Sequence, residues 1–224
     1  MMKPTEYTRK NQPHFQHLGA TFSITLMAHD AVPKIVLASL QEERKAALAQ
    51  IATNATEEEQ LLRAKIHGDY ENKLEELLHA HSEQEHLFRN AEIAGCVMDQ
   101  IRKYDSQYYS LETACIMSNH VHLLLDFSVQ VSSDWNGEVI AGYKNVGDVV
   151  GYIKGGASYN VNKKMDRTGS LWSMGYYDRY IRSAKHYDQA FAYTINNPVK
   201  AGLVTDWKKY PFTYVKSERE WPIS

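Results

Sequence analysis

The feature that most constrains this chain is a change of hydrophobic period partway along it. From Glu57 to Phe88 the apolar positions Leu61, Leu62, Ile66, Tyr70, Leu74, Leu77 and Leu78 recur at three- and four-residue steps, the spacing of an amphipathic helix. Beyond Tyr108 the spacing gives way to short β-rich runs. Tyr108 to Met117 reads as a strand, Ser118-Asn119 as a turn, and His120 to Phe127 (HVHLLLDF) as the partner strand of a hairpin.

The remaining elements follow from local signals. Thr21 to Leu26 (TFSITL) predicts a first strand, and Pro33 opens a helical stretch that runs to Gln50. Ala91 to Tyr104 predicts a helix with Ile93, Val97, Met98 and Ile101 on one side. Val131 to Gly147 reads as a surface loop and Val149 to Lys164 as a helix despite Gly155-Gly156. Ser170 to Ile181 (SLWSMGYYDRYI) predicts a fourth strand, and Ala184 to Asn197 a helix ending at Pro198. The order strand, helices, strand, strand, helix, strand, helix is that of an α+β fold, an antiparallel sheet backed by helices.

At 224 residues the chain fits one domain carrying an insertion, and with 43% hydrophobic residues it can bury a core. No apolar run approaches the ~20 residues of a membrane helix. The polar stretch Met1 to His14 does not read as a signal peptide, and the two cysteines, Cys96 and Cys115, form no CxxC motif. A cytoplasmic, reduced protein is expected. The net charge of −2 hides an asymmetry: residues 41–94 hold twelve acids and six bases, whereas residues 141–185 hold eight bases and three acids. An acidic helical insertion over 41–90 is therefore expected to project away from any nucleic-acid face and to serve packing or dimerisation, because it would repel a phosphate backbone.

Two candidate constellations carry chemistry. His120 and His122 flank Val121 on a predicted strand, so both imidazoles project from one face about 7 Å apart, a geometry that suits a shared divalent metal. With ten histidines in the chain, the pair alone is more often structural. Tyr193 and Asn197 lie at i and i+4 of the last long helix and so share a face. A phenol of pKa about 10 needs a polarised phosphate or a base to react at neutral pH, and any one of fifteen tyrosines is more often a packing residue.

Three blocks taken together change that weighing. IMSNHVHLLL (116–125), LWSMGYYDRYIR (171–182) and YTINNPVKAGLV (193–204) resemble, in order and spacing, the signature blocks of REP-associated tyrosine transposases, single-tyrosine enzymes with a histidine–hydrophobic–histidine motif. GATFSITL (19–26) and LFRNAEIAGCVMDQI (87–101) resemble that family's first strand and first core helix. Ser118 stands where a proline is frequent. The resemblance implies a ferredoxin-like sheet with the histidines on a central strand. It also implies a divalent ion, Mg²⁺ or Mn²⁺, on His120, His122 and Asn197, with Tyr193 as nucleophile. Two imidazoles and an amide would by themselves favour zinc.

The implied activity is cleavage and rejoining of single-stranded DNA bearing a hairpin, a repetitive palindromic element, through a 5′-phosphotyrosine link. Association with the nucleoid follows from such a substrate, and assembly as one chain or as a homodimer stays open. Lys154, Lys163, Lys164, Arg179 and Arg182 are candidates for backbone contacts, and Trp172, Tyr176 and Tyr177 for stacking on bases. Two other readings remain: a domesticated DNA-binding protein without turnover, and a metal-dependent phosphodiesterase that uses water.

Overall fold

The computed structural model describes residues 5–9, 12–16, 18–51, 56–136 and 138–216. A short antiparallel hairpin, β1 (Thr5–Arg9) and β2 (Gln12–Gln16), precedes the main body. The main sheet is built from β3 (Thr21–Met27), β4 (Ser110–Ile116), β5 (His120–Asp126), β6 (Tyr177–Tyr180) and β7 (Thr213–Val215). Its spatial order is β6-β3-β5-β4-β7, with every pairing antiparallel. The helices are α1 (Lys34–Ala49), α2 (Glu57–Ala80), α3 (Ala91–Arg102), α4 (Val146–Lys164) and α5 (Ala184–Lys200). Without β7, the path β3-α3-β4-β5-α4-β6 has its first strand between its fourth and third, which is the split βαβ, ferredoxin-like arrangement. The expected α+β class and central histidine strand are therefore observed.

Alternation along β5 divides the molecule into two layers. Val121, Leu123 and Leu125 enter the main core with Val97 and Ile101 of α3 and Val149, Ile153, Ala157 and Val161 of α4. Leu124 points the other way and packs with Phe191 and Ile195 of α5 and with Ile181. His120 and His122 share the parity of Leu124, so they lie on the α5 side. Because helices cover both faces, β4 is buried along its whole length and β5 is buried up to Leu125.

Several predicted boundaries are corrected. The strand expected over 170–181 is reduced to β6, because Gly175 adopts φ 75° and interrupts the extended run. Lys154 Nζ fixes the interrupted segment by donating to the carbonyls of Ser173 and Gly175 at 2.7 and 2.6 Å. The long helix expected to reach Phe88 ends at Ala80, where Ser82 Oγ donates to the His79 carbonyl at 2.7 Å and closes the last turn. It resumes only as a 3₁₀ turn at Leu87–Arg89. Pro198 lies inside α5 and does not end it; so close to the C-terminus it removes a single ladder bond, and Ala201 N–H still donates to the Asn197 carbonyl. The β1–β2 hairpin and β7 were not expected, because such short polar strands carry little alternation.

Of the two adjacent glycines of α4, Gly156 has a packing reason, whereas a Cβ on Gly155 would meet nothing within 4 Å. A Cβ on Gly156 would lie 2.1 Å from Nε2 of Gln100 on α3, so no larger residue fits unless Gln100 moves. Gln100 uses the close approach to donate to the Tyr152 carbonyl at 3.1 Å.

Candidate metal and nucleophile site

β5 delivers the histidine pair, α5 the tyrosine and asparagine, and α2 a residue that the motifs do not contain. The rings of His120 and His122 stand 4.6 Å apart between centroids, and that of Tyr193 stands edge-on to His122 at 5.2 Å. The four residues singled out from sequence are thus brought together. His120 and Asn197 are fully buried, and His122 is 2% exposed.

Each imidazole is oriented by a second contact. Asn119 Nδ2 donates to the carbonyls of Ala31 at 3.2 Å and Leu78 at 2.9 Å, which fixes its amide with the oxygen toward His120. His120 Nδ1 therefore donates to Asn119 Oδ1 at 2.7 Å, and its Nε2 is left with a free lone pair. His122 Nδ1 pairs with Thr25 Oγ1 at 3.1 Å, while the Thr25 hydroxyl turns toward Glu75 at 3.5 Å. This arrangement likewise leaves His122 Nε2 as the acceptor. Neither Nε2 has a hydrogen-bond partner, and neither amide atom of Asn197 forms a bond of good geometry although Asn197 lies beside His120 and Tyr193. Buried polar atoms left without partners are rare, and several converging on one point suit an ion. The residues present therefore fit a divalent metal.

Glu75 of α2 is the component that sequence reasoning missed. Its Oε2 accepts a hydrogen bond from the Tyr193 hydroxyl at 2.7 Å and lies 3.5 Å from His122 Nε2. One ligand atom from each of Glu75, His120 and His122 falls within 4.8 Å of the other two. Locally Glu75 is one of seven acidic residues of α2, and nothing in its sequence neighbourhood separates it from Glu71 or Glu76. The insertion helix accordingly does not project away from the site. Tyr70, Leu74 and Leu78 are buried in the main core and hold α2 against the sheet, so apolar burial outweighs the repulsion expected from its charge.

Burial and opposing charges shift the titratable groups in opposite directions. Burial would raise Glu75, but the neighbouring imidazoles and the hydrogen bond from Tyr193 outweigh it and hold the carboxyl well below the usual range. Tyr193 is pushed above the ordinary phenol value, first by burial and then by the Glu75 carboxylate and the hydrogen bond to it. His120 is held well below its ordinary value by burial and by neighbouring His122, so it stays neutral and able to coordinate.

The site opens into a cavity of about 410 Å³ whose walls include Glu71, Arg179, His186, Gln189 and Lys200. Arg179 is paired there with Glu71. Arg182 is exposed just before α5. Lys163 and Lys164 are exposed at the end of α4, in the layer on the other side of the sheet. Lys154 is committed to the two carbonyls of the β6 approach. Trp172 is corrected as a stacking candidate: it is 5% exposed, packs on Phe88 at 5.1 Å between centroids, and donates to the Lys154 carbonyl. Tyr176 is also buried, and the Tyr177 hydroxyl pairs with that of Tyr70 at 2.8 Å.

Comparison with known proteins points in the direction that the motifs indicated. A putative REP-associated tyrosine transposase of Haemophilus influenzae is 26% identical over 113 residues, which are 50% of this chain and 62% of that protein. The chain therefore spans less than two thirds of the length of this curated relative. Among solved structures, a REP-associated tyrosine transposase bound to a REP hairpin aligns with 93% of this chain and 81% of its own, at 12% identity and a TM-score of 0.48. No family model matches the chain. No helix among the described residues is long and apolar enough to cross a membrane.

Proposed function

We propose that this protein is a metal-dependent, single-tyrosine transposase that cleaves and rejoins single-stranded DNA through Tyr193. The observation that carries this reading is the convergence of the Tyr193 hydroxyl with two imidazoles whose outward nitrogens have no partner. Sequence similarity to a REP-associated tyrosine transposase supports the same reading.

A divalent ion, Mg²⁺ or Mn²⁺, on His120, His122 and Asn197 would act as a Lewis acid and template toward a scissile phosphate. Tyr193 Oη attacks phosphorus, the P–O3′ bond breaks, and DNA is left with a free 3′-hydroxyl and a 5′-phosphotyrosine. The phosphotyrosine conserves the bond energy, so attack by another 3′-hydroxyl rejoins DNA without a nucleotide cofactor. Before attack, Glu75 holds the phenol in one rotamer beside the histidines, which limits the orientational freedom lost in the reaction. Arg179 and Lys200 line the cavity, and these with exposed Arg182 just before α5 supply positive charge for the backbone. The substrate is a single strand carrying a hairpin, as the resemblance implies.

The test is to incubate the protein with Mn²⁺ or Mg²⁺ and single-stranded oligonucleotides from the DNA flanking its gene, and to look for a denaturation-resistant adduct. The expected result is an adduct with wild type that is absent in Tyr193→Phe. Cleavage without an adduct would favour the water-using phosphodiesterase instead, and binding with neither would favour the domesticated binder.

A further inference from the structure

We propose that Glu75, carried into the site by the insertion helix, is itself a ligand to the divalent ion, which is then held by imidazoles from the sheet and a carboxylate from α2. The inference rests on the metal assignment above and extends it to a residue outside the motifs.

Three observations carry it. The first is position: Glu75 Oε2 lies 3.5 Å from His122 Nε2, and a ligand atom from each of Glu75, His120 and His122 falls within 4.8 Å of the others. With Nδ1 of each histidine engaged by Asn119 or Thr25, the Nε2 lone pairs and the carboxylate oxygen converge on one point. A cation resolves that opposition of electron pairs. The second is charge. Imidazoles and the Asn197 amide bring no negative charge to a buried ion, and isolated buried charge is costly. Among the described residues Glu75 makes no ion pair with lysine or arginine.

The third is rigidity. Leu74 and Leu78, on either side of Glu75 in the helix, are 2% and 0% exposed. Asn119 donates both to the Leu78 carbonyl and, through its oxygen, accepts from His120. The helix backbone and the histidine are therefore tied to one amide, so Glu75 is a fixed part of the site. The carboxylate adds a hard anionic oxygen to two imidazoles and an amide, a set that suits Mn²⁺ as well as Zn²⁺.

The experiment is a titration of the EDTA-stripped full chain with MnCl₂, reading free Mn²⁺ by electron paramagnetic resonance, with no DNA present. Wild type, Glu75→Gln, His120→Ala, His122→Ala and Tyr193→Phe are compared, with melting in EDTA as the control for folding. The expected result is that Glu75→Gln weakens Mn²⁺ binding about tenfold or more, as do the histidine variants, while Tyr193→Phe does not. Wild-type affinity in Glu75→Gln together with loss in the histidine variants overturns the role of Glu75 alone. Wild-type affinity in all of them overturns the metal assignment itself. Should Glu75→Gln not fold, Glu75→Asp decides: a weakened Mn²⁺ affinity supports the ligand role and an unchanged one overturns it.

Discussion

Tyr193 on α5 donates its hydroxyl proton to Oε2 of Glu75 on α2, across 118 residues of chain, at 2.7 Å. The bond joins the proposed nucleophile to the helix whose composition argued most strongly against any part in DNA chemistry. An acidic helix can lie beside such a site because its charges are used individually. Glu75 is spent on Tyr193 and the histidines, and Glu71 on Arg179.

Asn119 is expected to matter out of proportion to its distance from the chemistry. It ties the Ala31 and Leu78 carbonyls to the Nδ1 of His120. Asn119→Ala leaves two buried carbonyls and one imidazole nitrogen without partners, a cost of about 1–3 kcal/mol in stability. It also frees the His120 ring to rotate and to change tautomer, so Mn²⁺ affinity should fall about tenfold or more. Chemical denaturation of the metal-free protein and a Mn²⁺ titration measure the two effects separately. Normal metal affinity in a folded Asn119→Ala protein would show that the ring is oriented by other contacts.

The legibility of this site follows from how far each signal reaches along the chain. His120 and His122 were readable because a strand places i and i+2 on one face, and Tyr193 with Asn197 because a helix does the same for i and i+4. The ferredoxin-like order followed from counting elements, since short connections leave few ways to pair β3, β4, β5 and β6. Glu75 was not readable: no local rule separates it from Glu71 or Glu76, and only the tertiary placement of α2 beside His122 selects it. Trp172 failed for a related reason. Its aromatic run looked like a strand face, but Gly175 bends the chain and turns the indole into the core beside Phe88. Periodicity gives the face of an element, while the neighbour across that face is fixed by tertiary packing.

Alkaline pH is expected to unfold the protein by way of its buried phenols. Burial raises Tyr109, Tyr177, Tyr193 and Tyr210 above the ordinary tyrosine value, and Tyr109 is fully buried. Because the folded-state values lie above the unfolded ones, the stability linked to these groups is complete below pH of about 10 and is lost as pH rises toward the folded values. Cys115, pushed up to about 12 by burial, adds to the same limb. Ultraviolet titration should therefore show a subset of the fifteen tyrosines that resists ionisation until circular dichroism is lost. Smooth ionisation of all fifteen near pH 10 with the fold intact would contradict the burial of these rings.

DNA binding should depend on which layer a cation occupies and not on how many cations the chain has. Lys163 and Lys164 end α4, beyond the sheet from the histidines, whereas Arg179 lines the cavity and Arg182 precedes α5. If a single strand enters along the α5 side, Arg179→Ala and Arg182→Ala should each take about 0.7 off the slope of log K against log salt, and Lys163→Ala/Lys164→Ala should leave it unchanged. Glu71→Gln tests the same geometry with the opposite sign. It releases Arg179 from its carboxylate partner and removes a negative charge from the cavity wall, so affinity for single-stranded DNA should rise. The pair is half exposed on the arginine side, so stability should change by less than about 1 kcal/mol. Fluorescence anisotropy across a salt series reads all three effects. A slope that responds to the lysine pair and not to the arginines would move the nucleic-acid path to the α3–α4 face and away from Tyr193.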